Sequence, residues 1–96
     1  MISSAEWKDA LVKVDMKAAS VYEQRDTSYN QNHIVPDFFR RGVDTCLDMC
    51  YMKLMRVDDI LQAGNFGVSG DDSTIDLVNY ARFLAALQIL SEKGIT

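Results

Sequence analysis

Apolar positions recur along this chain in three blocks, each stepping by threes and fours. In the first block Trp7, Leu11, Val14, Ala18 and Val21 make one stripe, the period of an amphipathic helix. Lys8, Asp9, Lys13, Asp15 and Lys17 lie mostly off that stripe. Ser3-x-x-Glu6 has the form of a capping box, in which hydroxyl and carboxylate satisfy the unpaired N–H groups at a helix start. These signals predict a first helix over about 4–25, with Asp9 and Lys13 as an i, i+4 ion pair.

The stretch from Asp26 to Pro36 is rich in turn formers and has no period, so it reads as a loop carrying His33 in a solvated position. Pro36, the only proline, suits the first turn of a second helix, expected over about 36–63. There Phe39, Val43, Cys46, Cys50, Leu54, Val57 and Leu61 form one stripe. Phe38, Met49, Met52 and Met55 form a second apolar set, so the helix is central in its domain or buried in an oligomer. Three glycines between positions 64 and 70 end it.

A third helix is predicted over about 72–92, capped by Asp71, Asp72 or Ser73. Leu77, Ala81, Leu84 and Leu87 give its stripe, widened by Tyr80, Phe83 and Leu90. Ala81, Ala85 and Ala86 suit close helix approach, and Lys93-Gly94 closes the helix. The pattern predicts a single all-α domain over 1–96, an antiparallel three-helix bundle. So small a layer of helices buries little surface, so leftover apolar faces should meet further copies, as a homodimer or homotetramer.

Composition narrows the function classes. Net charge of −4 and a pI near 4.7 argue against binding a nucleic-acid phosphate backbone, which needs a basic surface. No stretch approaches the roughly 20 apolar residues that span a bilayer. The start lacks the basic and apolar blocks of a signal peptide, so a cytoplasmic protein is expected, with no membrane partner. Cys46 and Cys50 read as small core residues in a reducing compartment.

The chemistry concentrates where polar groups enter apolar stripes. Asp72 and Asp76 are four apart and stack on one helix face, with Asn79 and Tyr80 one turn beyond Asp76. Lys53 and Arg56 bring two cations into the second helix. Magnesium needs oxygen ligands and can hold a phosphate chain between carboxylates; Glu23 with Asp26, and Asp72 with Asp76, are the candidate pairs. Asp44 with Asp48 reads as a solvated face, and so does Arg40-Arg41. Arg56 either pairs with Asp76 between helices or grips a phosphate with its planar fork; the sequence leaves both open.

As a set, Arg25-x-x-x-Tyr29-Asn30, Lys53-x-x-Arg56 and Asp72-Ser73-x-x-Asp76-x-x-x-Tyr80-Ala81 resemble the MazG-like, all-α nucleotide pyrophosphohydrolases. The closest pattern is that of the small phage nucleotide-modification-associated domains. The resemblance implies a helical bundle completed by homo-oligomerisation, and hydrolysis of a nucleoside triphosphate to monophosphate and pyrophosphate with Mg²⁺. It implies Lys53, Arg56 and Asp76 as catalytic, with Glu23, Asp26, Asp72 and Asp76 on the metal. Arg25, Tyr29, Asn79 and Tyr80 would contact the nucleotide. The chain departs from active MazG-type enzymes where Glu23-x-x-Asp26 stands for their Glu-x-x-Glu and Ser73 for the Glu preceding Asp76, and Asn30 stands for the usual Gly after Tyr29.

Two other functions suit the same features. A small acidic phage protein could bind and inhibit a host or defence protein, or sequester a nucleotide. A purely structural helical module would use the same ionic groups to neutralise one another.

Overall fold

The computed structural model describes residues 1–29, 43–67 and 72–94, with the side chains of 26–29 outside that description. Three helices and no strands are present among the described residues: α1 (Ser4–Tyr29), α2 (Val43–Gln62) and α3 (Ser73–Glu92). The start of α2 expected near Pro36, with Phe38, Phe39, Arg40 and Arg41, lies outside the described residues, as do His33 and Asn30.

Helix starts and stops follow the local chemistry. The Ser3 hydroxyl accepts from the Glu6 N–H at 3.1 Å, and the Ser3 N–H donates to Glu6 Oε1 at 3.2 Å. This reciprocal pair is the capping box, and the bonds to Ser3 hold the Glu6 carboxyl below its usual range. Lys13 Nζ sits 2.9 Å from Asp9 Oδ2. At the end of α2, Gly64 N–H donates to the Leu61 carbonyl and Asn65 N–H to the Ile60 carbonyl. That is a Schellman closure, and it requires the positive φ of 76° that Gly64 adopts.

α1 runs on to Tyr29, past the end expected near Arg25. Asp26, Thr27 and Ser28 favour turns only by tenths of a kcal/mol, while extending a helix already formed adds a hydrogen bond per residue. The extension puts Arg25 inside the helix rather than at its fraying end.

α3 is the central element: α1 and α2 each pack on it, and not on one another among the described residues. Down α2 and up α3, the contacts run Arg56 to Ser73, Lys53 to Asp76 and Cys46 to Tyr80, so these two helices are antiparallel. α1 meets α3 through its second half, where Asn79 Nδ2 donates to the Ala18 carbonyl at 3.0 Å. Tyr22 packs edge-on against Phe83, with ring centres 5.3 Å apart.

The core is small. Ala18, Cys46, Ile75 and Leu87 are the buried apolar residues among those described. Of the expected α1 stripe, Ala18 is buried, but Trp7 and Leu11 are 58% and 46% exposed. On α2 the face toward α3 is Cys46, Cys50, Lys53, Val57 and Ile60, whereas Val43, Leu54 and Leu61 of the expected stripe are exposed. The helix is turned because Lys53 is drawn inward to Asp76. Ala81, Ala85 and Ala86, expected at a close approach, are exposed too.

Asn79, 5% exposed, also accepts from Arg82 Nη1 at 3.2 Å. Its amide is the buried hydrogen-bond tie between α3 and the α1 backbone. Asn79→Ala is expected to lower stability by about 1 kcal/mol, the net worth of one buried hydrogen bond, since the Ala18 carbonyl keeps its own helical partner. Urea unfolding of the two proteins measures it, and a change below about 0.5 kcal/mol would show the tie to be dispensable.

Candidate functional site

The ionic groups singled out in the sequence gather at the first turns of α3. Asp76 lies in the first turn of that helix, its side chain only 10% exposed. A buried carboxylate is costly unless paired, and Asp76 is paired twice. Arg25 Nη1 of α1 donates to its Oδ1, and Lys53 Nζ of α2 lies 3.3 Å from its Oδ2. One carboxylate thus bridges all three helices.

Asp72 is the residue preceding α3, and its side chain makes no capping bond. It turns to α1 instead, where Lys17 Nζ is 3.2 Å from Asp72 Oδ1 in a half-exposed pair. Arg56 is exposed on α2 and donates from Nε to the buried Ser73 Oγ at 3.2 Å. The cations found on the Asp76 oxygens are therefore Arg25 and Lys53, while Arg56 reaches the helix start one turn earlier. Four cations, Lys17, Arg25, Lys53 and Arg56, surround two carboxylates, Asp72 and Asp76, at a helix end that is itself partially positive.

Tyr80 stands one turn along from Asp76, half-buried, its ring edge-on to Phe83 with centres 5.6 Å apart. Burial pushes its phenol above the ordinary value, and the Asp76 charge adds to that. Its backbone carbonyl accepts from the Cys46 thiol at 3.5 Å. Cys46 is buried, Cys50 is partly exposed, and both are free thiols; burial raises the Cys46 thiol.

The other sequence candidates separate from this group. Glu23 is exposed on α1. The side chains of Asp26 and Tyr29 lie outside the described residues. Asn79 is committed to the Ala18 carbonyl and Arg82. A magnesium ion does not fit the described residues, which bring no three acidic, histidine or cysteine side chains together. Both Asp76 oxygens already face cations, so a divalent ion there would be repelled by two positive groups. An apolar cleft of about 360 Å³ lies at the far end of the α2–α3 pair, lined by Val43, Leu84, Leu87, Gln88, Ser91 and Glu92, away from the ionic cluster.

Sequence reading found Asp76, Lys53 and Arg25, but missed Lys17 and Arg82. Lys17 lay among alternating charges of an exposed helix face and gave no signal.

Asp76→Asn is expected to cost about 2 kcal/mol, below the roughly 3–5 kcal/mol of a fully buried pair because Arg25 is half exposed. Asp72→Asn should cost under about 1 kcal/mol. Equal losses in urea unfolding would deny Asp76 its special place. A raised phenol favours the fold below the ordinary value of 10.0, and that contribution is lost as the pH climbs past it. In an ultraviolet titration, the tyrosinate signal missing from Tyr80→Phe should therefore rise above pH 10; a difference curve centred lower would contradict the burial.

No helix among the described residues is long and apolar enough to cross a membrane. Comparison of the chain with protein-family models, with curated proteins and with solved structures finds no match.

Proposed function

We propose that this chain binds a nucleotide or another phosphorylated small molecule at the start of α3, as its resemblance to the MazG-like group implies. The observation that carries the reading is the gathering of four cations from α1 and α2, Lys17, Arg25, Lys53 and Arg56, at the first turn of α3. Asp76 alone draws two cations, Arg25 and Lys53. A phosphate would accept from Lys and Arg donors beside a helix start that Asp72 leaves uncapped.

Metal-dependent hydrolysis is not part of this proposal, because Asp72 and Asp76 already face cations. Lys53 and Arg25 would hold the anion beside Asp76, and Tyr80 would wall the site.

Titration calorimetry with ATP, with inorganic tripolyphosphate and with adenosine separates phosphate from base recognition. Both phosphorylated compounds should bind, more weakly as salt rises, and adenosine alone should not. Arg56→Gln is expected to weaken binding on the order of tenfold, the loss of one charge-assisted contact. No heat and no rise in melting temperature at millimolar ATP would end the reading. Pyrophosphate release with Mg²⁺ would instead restore the hydrolase.

A further inference from the structure

Cys46 and Cys50 stand four apart on the face of α2 that packs against α3, a spacing that stacks two side chains one above the other. Both are free thiols; Cys46 is fully buried and Cys50 is partly exposed. The two sulfurs interact. Burial pushes the Cys46 thiol up first, and the charge of Cys50 and a side-chain hydrogen bond with Cys50 push it further.

A disulfide does not suit this pair. Residues four apart on a helix hold their Cβ atoms about 5–6 Å apart, whereas a disulfide needs about 3.5–4.5 Å. Closing that bond would distort the middle of α2, the stretch that delivers Lys53 to Asp76. An ion between the sulfurs spans the wider gap, because two metal–sulfur bonds take the place of one sulfur–sulfur bond.

The donor set selects the ion. No three His, Cys, Asp or Glu side chains come together among the described residues, so zinc, which takes four ligands, would be left half-coordinated. Thiolates favour soft ions, and a monovalent ion with a filled d shell, Cu(I), is satisfied by two of them. Lys53, whose ammonium also faces Asp76, lies one turn on from Cys50 along the same face. A neighbouring ammonium favours the thiolate form. The partly exposed Cys50 gives an ion its way in, and Cys46 supplies a dry second ligand behind it.

We propose that Cys46 and Cys50 form a binding site for one Cu(I) ion held between their sulfurs. Each S–H bond gives its proton to water as a copper–sulfur bond forms, and no electron changes hands. Cys46 keeps its proton until the metal displaces it. The Tyr80 carbonyl, which accepts from the Cys46 thiol at 3.5 Å, loses only that weak bond and stays in the α3 helix. The site fastens one turn of α2 and does not depend on the phosphate reading.

Anaerobic titration of the full chain against Cu(I) held by the coloured chelator bicinchoninate tests it. Wild type should withdraw one Cu(I) per chain, and the bound ion should shield Cys50 from alkylation by iodoacetamide. The shielding needs no variant and so stands even where a substitution harms the fold. Cys50→Ala, its helicity checked by circular dichroism, should leave the copper on the chelator. Zn²⁺ at equal concentration should not displace the copper. Wild type that leaves Cu(I) on the chelator overturns the proposal, as does Cys50 alkylated equally with and without copper. Undiminished uptake by Cys50→Ala, displacement by zinc, or one ion per two chains overturns it too.

Discussion

The carboxylate of Asp76 is where the three helices of this protein are made to agree. Its oxygens face Arg25 from α1 and Lys53 from α2, and a charge so little exposed is tolerable only while those cations stay. The three side chains thus act as a condition on the whole arrangement. α1 must continue far enough to deliver Arg25, and α2 must turn so that Lys53 faces inward. Cys46, Cys50 and Val57 come with it, and Leu54 and Leu61 are left outside. Much of the exposed apolar surface follows from that one rotation.

Local features were legible in the sequence because their causes are local. The capping box at Ser3 and Glu6, the Asp9–Lys13 pair and the glycine closure of α2 each depend on residues within five positions. Asp76 stood out because a carboxylate in an apolar stripe has few bland explanations. What the sequence could not supply was phase and partner. A helix apolar on two sides, as α2 is, has no preferred inner face until a neighbour supplies one. The Arg25–Asp76 tie joins residues 51 apart, and no spacing rule reaches that far. The same holds for Ala81, Ala85 and Ala86, whose small size fits a close contact that α3 does not make with them.

The ionic cluster also explains why metal chemistry and anion chemistry part company at this helix end. Carboxylates and cations in the same few turns compete for each other. Around Asp76 two cations, Arg25 and Lys53, face one carboxylate, so a further cation is disfavoured there. Four of the chain's ten Lys and Arg residues meet at this helix start, next to partially positive backbone groups.

Lys53 in the inner line of α2 has one more effect. Cys46, Met49, Cys50 and Val57 around it are small or flexible, the kind of surface on which a helix could slide by a turn and repack at little cost. A slide of one turn would carry the ammonium away from Asp76 and leave both charges stranded in an apolar groove. The ion pair therefore works as a ratchet tooth, permitting a single alignment of α2 on α3 where greasy contacts alone would allow several.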